Sequence, residues 1–310
     1  MVERLVANEK VVGSSPIARS NFIEYILMII WIASYPKSGN TYIRSFIASY
    51  YFSKKGKFDF SLLMNILQFP SLKFSKIDLH SELEASQNWI FNQNYYFNKN
   101  KINFVKTHNC LCEYKGSKFT TKKQTLGAIY IVRDPRNIAT SMTHHYSLSY
   151  DQAITKLIDK NSSLLEKSFD HDYSNFTFLG SWSNHYKSWQ NNKEFETLFI
   201  KYEDLENNKY ETFKKIVLFI NKLTNKDSKI DEKKLLNSIN STSFINLKNK
   251  ELNEGFEESV VSRKTGKKLR FFNLGYSNRW QNILPKDTLN KINHNLHNEL
   301  IELNYKNKNE

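Results

Sequence analysis

The chain has 310 residues, enough for one large α/β domain or two ordinary ones. Apolar residues make up 40% and aromatic residues 14%, a composition that excludes a disordered chain. A net charge of +14 attracts anions (nucleotides, nucleic acid or an acidic membrane surface) without choosing among them.

Residues 1–21 follow neither helical nor strand periodicity and read like the conceptual translation of a tRNA gene. The packed domain is therefore expected over 28–310, with 1–27 as an extension outside it. Residues 22–35 are apolar, but Glu24 interrupts them and the run is too short to span a bilayer. No small-residue cleavage site follows. Met28 to Ser34 is a continuous apolar run, the pattern of a buried parallel strand. A loop over Tyr35 to Asn40 comes next, then apolar residues at helical spacing from Thr41 to Tyr51. Residues 52–101 are polar and aromatic with weak periodicity; they read as short helices and loops, a lid or acceptor-side insertion.

Further strands are expected at 102–106, 127–132 and 197–201. Helices are expected from Pro135, which suits a first turn, and over 176–191 and 205–222. Behind Pro285, Leu289, Ile292, Leu296, Leu300 and Leu303 recur at helical spacing over 285–304. Strands alternating with helices predict an α/β fold: a single domain with a central parallel sheet flanked by helices on both faces. Ligands of such sheets bind beyond the carboxyl ends of the strands. The loops after 28–34, 102–106 and 127–132 would converge there.

Those loops carry the chemistry. Lys37, Ser38, Gly39 and Thr41 sit between a buried strand and a helix. A helix N-terminus offers free N–H groups, Gly39 permits close approach, Lys37 adds charge, and Ser38 and Thr41 add hydroxyl donors. This is an anion cradle, or in its plainest form a helix cap. It is not a nucleoside-triphosphatase loop, because Lys37 precedes the only glycine. Lys106 and His108 lie two apart at a strand end, so an extended chain points a cation and a general base to one side. Arg133 could fork a phosphate, with Ser141 one to two turns on as a hydroxyl donor. Asp134 could cap the helix at Pro135, and Arg136 reads as a surface charge or as a partner for Asp134. Arg263 and Lys264 lie in a Gly- and Lys-rich run suited to a solvated loop or a clamp over a terminal phosphate. Trp182, His185, Tyr186 and Trp189 form a helical stripe that reads as core. His144 and His145 read as helix-end residues at a pocket wall.

Taken in order, these segments resemble the cytosolic-type sulfotransferase family, including its bacterial-like members, over nearly the whole chain from Met28. Tyr35-Pro-Lys-Ser-Gly-Asn-Thr-Tyr42 matches the 5′-phosphosulfate loop, with Asn40 and Tyr42 in place of the usual Thr and Trp. Lys106-Thr-His108 matches the element with the catalytic histidine. Arg133 and Ser141 match the 3′-phosphate motif. Tyr202 in Lys201-Tyr-Glu-Asp204 matches an adenine contact, and Thr242, Ser243 and Phe244 match an adenine-pocket lining. Arg263-Lys264 matches the late Arg-Lys-Gly loop, interrupted here by Thr265, and Gly275 to Trp280 matches a downstream Gly-x-Trp stretch.

The resemblance implies a P-loop-like sulfotransferase fold. It also implies sulfuryl transfer from 3′-phosphoadenosine 5′-phosphosulfate (PAPS) to a hydroxyl or amine, releasing adenosine 3′,5′-bisphosphate (PAP). His108 would take the acceptor proton, and Lys37 and Lys106 would neutralise the bridging and leaving oxygens. Ser38, Gly39, Asn40 and Thr41 would hold the 5′-phosphate; Arg133, Ser141, Arg263 and Lys264 would hold the 3′-phosphate; and Tyr42 could stack on a base. No metal is expected, for the lysines supply the neutralising charge. The acceptor is a small molecule, a glycan or a lipid, and a homodimer is left open. Rival readings are a nucleotide kinase or triphosphatase, which lacks its Walker-type lysine here, and a basic nucleic-acid-binding protein, whose binding would weaken steeply with salt. Nucleic acid and a transmembrane segment are not expected. Cys110 and Cys112, one residue apart, are poorly placed to pair in regular structure, and a reducing cytoplasm fits them.

Overall fold

The computed structural model describes residues 27–75, 78–165, 172–225, 229–261, 266–275 and 278–306. The N-terminal stretch 1–26 and the pair Arg263-Lys264 lie outside the described residues. Leu27, one residue before the expected start at Met28, is buried.

Nine strands are present among the described residues: β1 (Ile29–Ser34), β2 (Ile66–Gln68), β3 (Asn103–Thr107), β4 (Glu113–Tyr114), β5 (Ser117–Lys118), β6 (Thr125–Val132), β7 (Ser163–Leu164), β8 (Thr177–Phe178) and β9 (Thr197–Lys201). Five of them form the central sheet in the order β2-β3-β1-β6-β9. Every pairing within it is parallel. Strands β4–β5 and β7–β8 form two small antiparallel pairs.

The apolar run of β1 is buried at all six positions because both faces of the sheet are covered. Trp31 and Ala33 face one core with Val105, Tyr130, Trp182 and Trp189. Ile30 and Ile32 face the other, with Ile43, Phe46, Ile131, Phe213 and Ile216. The alternation of strand side chains thus divides one continuous apolar sequence between two layers. The stripe Trp182, His185, Tyr186 and Trp189 is fully buried, as a core stripe should be.

Local chemistry explains the helix boundaries. Asp134 accepts from the Arg136 N–H at 2.9 Å, and Pro135 opens the Pro135–Tyr146 helix. Ser149 and Gln152 form a capping box at the head of Tyr150–Ile158. Three helical expectations change. The helix expected over 176–191 is confined to Trp182–Gln190, with β8 before it. The helix expected over 205–222 is two, Asp204–Asn207 and Lys209–Leu223. The tail forms Lys286–Asn295 and His297–Glu302, broken at Leu296. The break keeps Ile292, Leu296, Leu300 and Leu303 all in the core. Among the described residues no helix is long and apolar enough to cross a membrane.

Trp31 anchors the central strand. Its ring is fully buried, and its indole N–H donates to Thr125 Oγ1 at 2.9 Å. Trp31→Ala is expected to lower unfolding free energy by about 3–5 kcal/mol in urea titrations, by loss of burial plus a residual cavity. Met64→Ala, at a position 79% exposed, should change it by no more than about 0.5 kcal/mol.

Candidate active site

Parallel register brings the ends of β1, β3 and β6 to one edge, and the loops that follow them meet there. The loop after β1 turns sharply. Lys37 has φ 67° and Gly39 φ 95°, both left-handed, and the Asn40–Phe52 helix starts immediately after. Gly39 is required twice over. Its φ disfavours any side chain, and a Cβ there would lie 2.4 Å from the Tyr202 ring. Tyr202 in turn lies under the Arg133 guanidinium, 4.1 Å from ring centroid to Cζ. Arg133 Nη1 donates to the Lys37 carbonyl at 3.0 Å, tying the first and third loops together.

A cavity of about 480 Å³ opens above this edge. Lys37, Gly39, Asn40, Thr41, Tyr42, Lys106, His108, Arg133, Ser141, Tyr202 and Phe244 all line it. Five stretches spread between Lys37 and Phe244 therefore supply one cavity. Ser38 is fully buried within the cradle, and its hydroxyl has no partner; the same holds for Asn40 Oδ1 and Arg133 Nε. Buried polar atoms are seldom left unsatisfied in the absence of a function. The Ser38 hydroxyl and the Arg133 Nε–H are donors left open near Lys37 and suit an anionic nucleotide, whereas Asn40 Oδ1 can only accept. Three expected residues do not line the cavity, the first being the buried Ser38. Thr242 is buried with its hydroxyl donating to the Ser238 carbonyl, and Ser243 caps the Phe244–Glu254 helix. Neither lines the cavity, because their hydroxyls are consumed by the helix ends that orient Phe244.

His108 is held by its backbone-side nitrogen. Nδ1 lies 2.8 Å from the Ser34 carbonyl, which can only accept, so Nδ1 carries the proton. Nε2 then holds a lone pair and can receive one. The His108 carbonyl accepts from His185 Nε2 at 2.9 Å, and His185 Nδ1 accepts from the Tyr130 hydroxyl at 2.8 Å. Burial, with Lys106 close by, draws the His108 imidazole down to about 3. His108 is thus neutral at pH 7. Burial also lowers Lys37 to about 7; Arg133 and Lys106 add to the effect, and Glu258 opposes it.

Several residues here escape sequence reasoning. Glu258 reaches in between Thr41, Arg44 and Lys106. Its carboxyl is held well below the usual range: burial would raise it, but Lys106 and Arg44 outweigh burial. Arg44 shares a helix face with Thr41 at i, i+3, a spacing that could have marked it. Phe271 covers Lys37 Nζ at 4.5 Å from the ring centroid. Asn278 accepts from Thr140 and donates to the Asn137 carbonyl, pinning the late chain beside Ser141. His144 and His145 do line the wall, with Tyr146 and Leu164 beside them. Among the described residues no group of three or more His, Cys, Asp or Glu converges as a metal site.

A model of the sulfotransferase domain matches residues 29–304. Sulfotransferase 1B1 of Mus musculus is 24% identical over 260 residues, covering 82% of this chain and 76% of the relative. The structure of mouse sulfotransferase SULT7A1 complexed with PAP is similar at TM-score 0.51 and 19% identity, over 92% of this chain and 85% of that one. Retinol dehydratase in complex with androsterone and inactive cofactor PAP is similar at TM-score 0.54 and 15% identity, over 88% and 80%. Retinol dehydratase in a complex with retinol and PAP gives 0.53 and 16%, over 88% and 81%.

Burial also lowers His185 to about 4 and His145 to about 3. Such groups bind protons more readily when unfolded, so their contribution is complete above about 6.5 and is lost as pH falls toward 3–4. Urea midpoints are expected to fall steadily from pH 7 to pH 4. Long-range ¹H–¹⁵N spectra should show His108 in the Nδ1–H tautomer at neutral pH; an Nε2–H tautomer would contradict the assigned geometry.

Proposed function

The chain belongs to the sulfotransferase domain family and moves a sulfuryl group from PAPS to an acceptor, and from that premise we propose how the cavity divides the work. The observation that carries this division is the convergence of Lys37, Lys106, His108, Arg133 and Ser141 on one cavity from three separate strand ends and a helix. The donor supplies the activated sulfuryl group. Ser38, Gly39, Asn40 and Thr41 hold its 5′-phosphate, using the open Ser38 hydroxyl. Arg133 and Ser141 hold the 3′-phosphate, with Arg263 and Lys264 assigned to the same group. Tyr42, Tyr202 and Phe244 flank the base; Thr242 and Ser243 position Phe244 through the helix ends they close.

Displacement at sulfur forms an acceptor O–S bond and breaks the bond from sulfur to the phosphate oxygen. Charge builds on that oxygen, and Lys37 and Lys106 neutralise it. His108 Nε2 receives the acceptor proton, while Ser34 and His185 keep its ring and main chain fixed. Tyr146, Leu164 and Phe271 give the cavity lining an apolar and aromatic part. A hydroxyl on a small, largely apolar molecule is the acceptor this lining supports best. We place the reaction in the cytoplasm, in keeping with the free thiols Cys110 and Cys112.

By calorimetry PAP should bind at least tenfold more tightly than adenosine 5′-phosphate, because a charge-assisted hydrogen bond contributes about 1.5–3 kcal/mol. Equal affinity would remove the role given to Arg133 and Ser141. His108→Ala should lower single-turnover transfer by about 10²–10⁴-fold at saturating donor while PAP affinity stays unchanged. Transfer at the unmutated rate would show that another group takes the proton.

A further inference from the structure

Glu258 stands inside the anion cradle. Its Oε2 accepts from Thr41 Oγ1 at 3.1 Å, and its Oε1 lies 2.7 Å from Arg44 Nη1 and 3.6 Å from Lys106 Nζ. Thr41 and Lys106 are two of the groups assigned above to the donor's 5′ end. Arg44 and Lys106 are only 5% and 9% exposed in their side chains. Glu258 thus supplies negative charge where Lys37, Arg44 and Lys106 would otherwise face one another.

The carboxylate is carried on a built support. Glu251, on the Phe244–Glu254 helix, accepts from Ser259 Oγ at 2.7 Å and from the N–H groups of Phe271 and Phe272 at 2.6 and 2.9 Å. One buried carboxylate therefore fixes the chain just after Glu258 and the later chain that returns at Phe271. Phe256 packs against both Phe271 and Phe272. Glu258 is held over the cradle by this support, and Phe271 is held over Lys37 by the same one.

We propose that Glu258 is an internal stand-in for the 5′-phosphosulfate, which competes with the donor for Thr41 and Lys106 and so sets donor and product affinity. This rests on the donor reading of the cradle given above. A carboxylate and a phosphate drawing on the same two donors repel each other at this range. Donor binding must therefore release the Thr41 and Lys106 contacts of Glu258, leaving Arg44 as its partner. The same competition favours departure of PAP once transfer is done. The feature has a chemical signature: it acts on ligands that carry a 5′ anion and not on those that lack one.

Calorimetry on the full chain separates these cases. Glu258→Gln keeps the shape and removes the charge. It is expected to tighten PAP by about tenfold, the loss of one charged competitor. Adenosine 3′-phosphate, with no 5′ anion, should bind the variant and the unmutated protein equally. The rise in melting temperature on adding PAP should also be larger in the variant, because its unliganded form lacks the counter-charge. Unchanged or weaker PAP binding by Glu258→Gln would overturn the proposal and make Glu258 a fixed counter-ion for Lys106. If Glu258→Gln does not fold, Glu258→Asp retains the charge and withdraws it by one methylene. It is then expected to tighten PAP about threefold, and unchanged affinity would overturn the proposal equally. Failure of the unmutated protein to bind PAP would instead overturn the donor reading itself.

Discussion

Cations gathered in a low-dielectric cleft repel each other, and this site gathers Lys37, Arg44, Lys106 and Arg133 at one sheet edge. The fold answers with distinct devices. Lys37 is screened by the Phe271 ring and is lowered toward neutrality by burial. Arg133 spends one donor on the Lys37 carbonyl and spreads its charge over Tyr202. Arg44 and Lys106 share Glu258. Each device also fixes position. The stabilising partners of the cations are the same groups that aim them at the cavity.

That aiming depends on contacts from far along the chain. Asp134 pairs with Arg136, which donates to the Tyr305 carbonyl and lies against Trp280. The Tyr305 hydroxyl donates to Glu203, whose other oxygen accepts the Asp134 N–H. The loop carrying Arg133 is thus closed from behind by Tyr305, just beyond the last helix. This explains why the tail is packed into the core and not left on the surface. Glu203 is raised, chiefly by burial, so it is a costly group to keep unless its hydrogen bonds are all made.

Much of the fold was legible because its signals are local. The apolar run of β1, the exact 197–201 strand and the Asp134-Pro135 helix start need only nearest neighbours to be read. Strand β2 was missed: three residues carry too little periodicity, and β2 is fixed by pairing with β3, not by its own sequence. The break at Leu296 was also invisible, since helical spacing continues through it. In the site, the convergence of the loops after β1, β3 and β6 was legible from the order of strands and helices. The helix-end bonds of Thr242 and Ser243 were not legible, because a hydroxyl at a helix boundary serves the cap as readily as a ligand. Glu258 was unreadable for another reason. Its partners lie 217 and 214 residues away, and a glutamate in a charged loop ordinarily belongs to the solvent.

The support behind His108 shows how a core residue acquires a chemical consequence. His185 belongs to an aromatic stripe whose first task is packing. Its ring must still satisfy two nitrogens away from water. Tyr130 takes one and the His108 carbonyl takes the other. With the main chain at His108 fixed, the side chain can reach the Ser34 carbonyl through Nδ1 alone. The free lone pair is then forced onto Nε2. Burial keeps it unprotonated, since charging the ring there would cost more than in water. Packing, hydrogen-bond satisfaction and desolvation therefore select one tautomer in one protonation state. The state of this ring is set by the need to close a dry core, before any acceptor arrives.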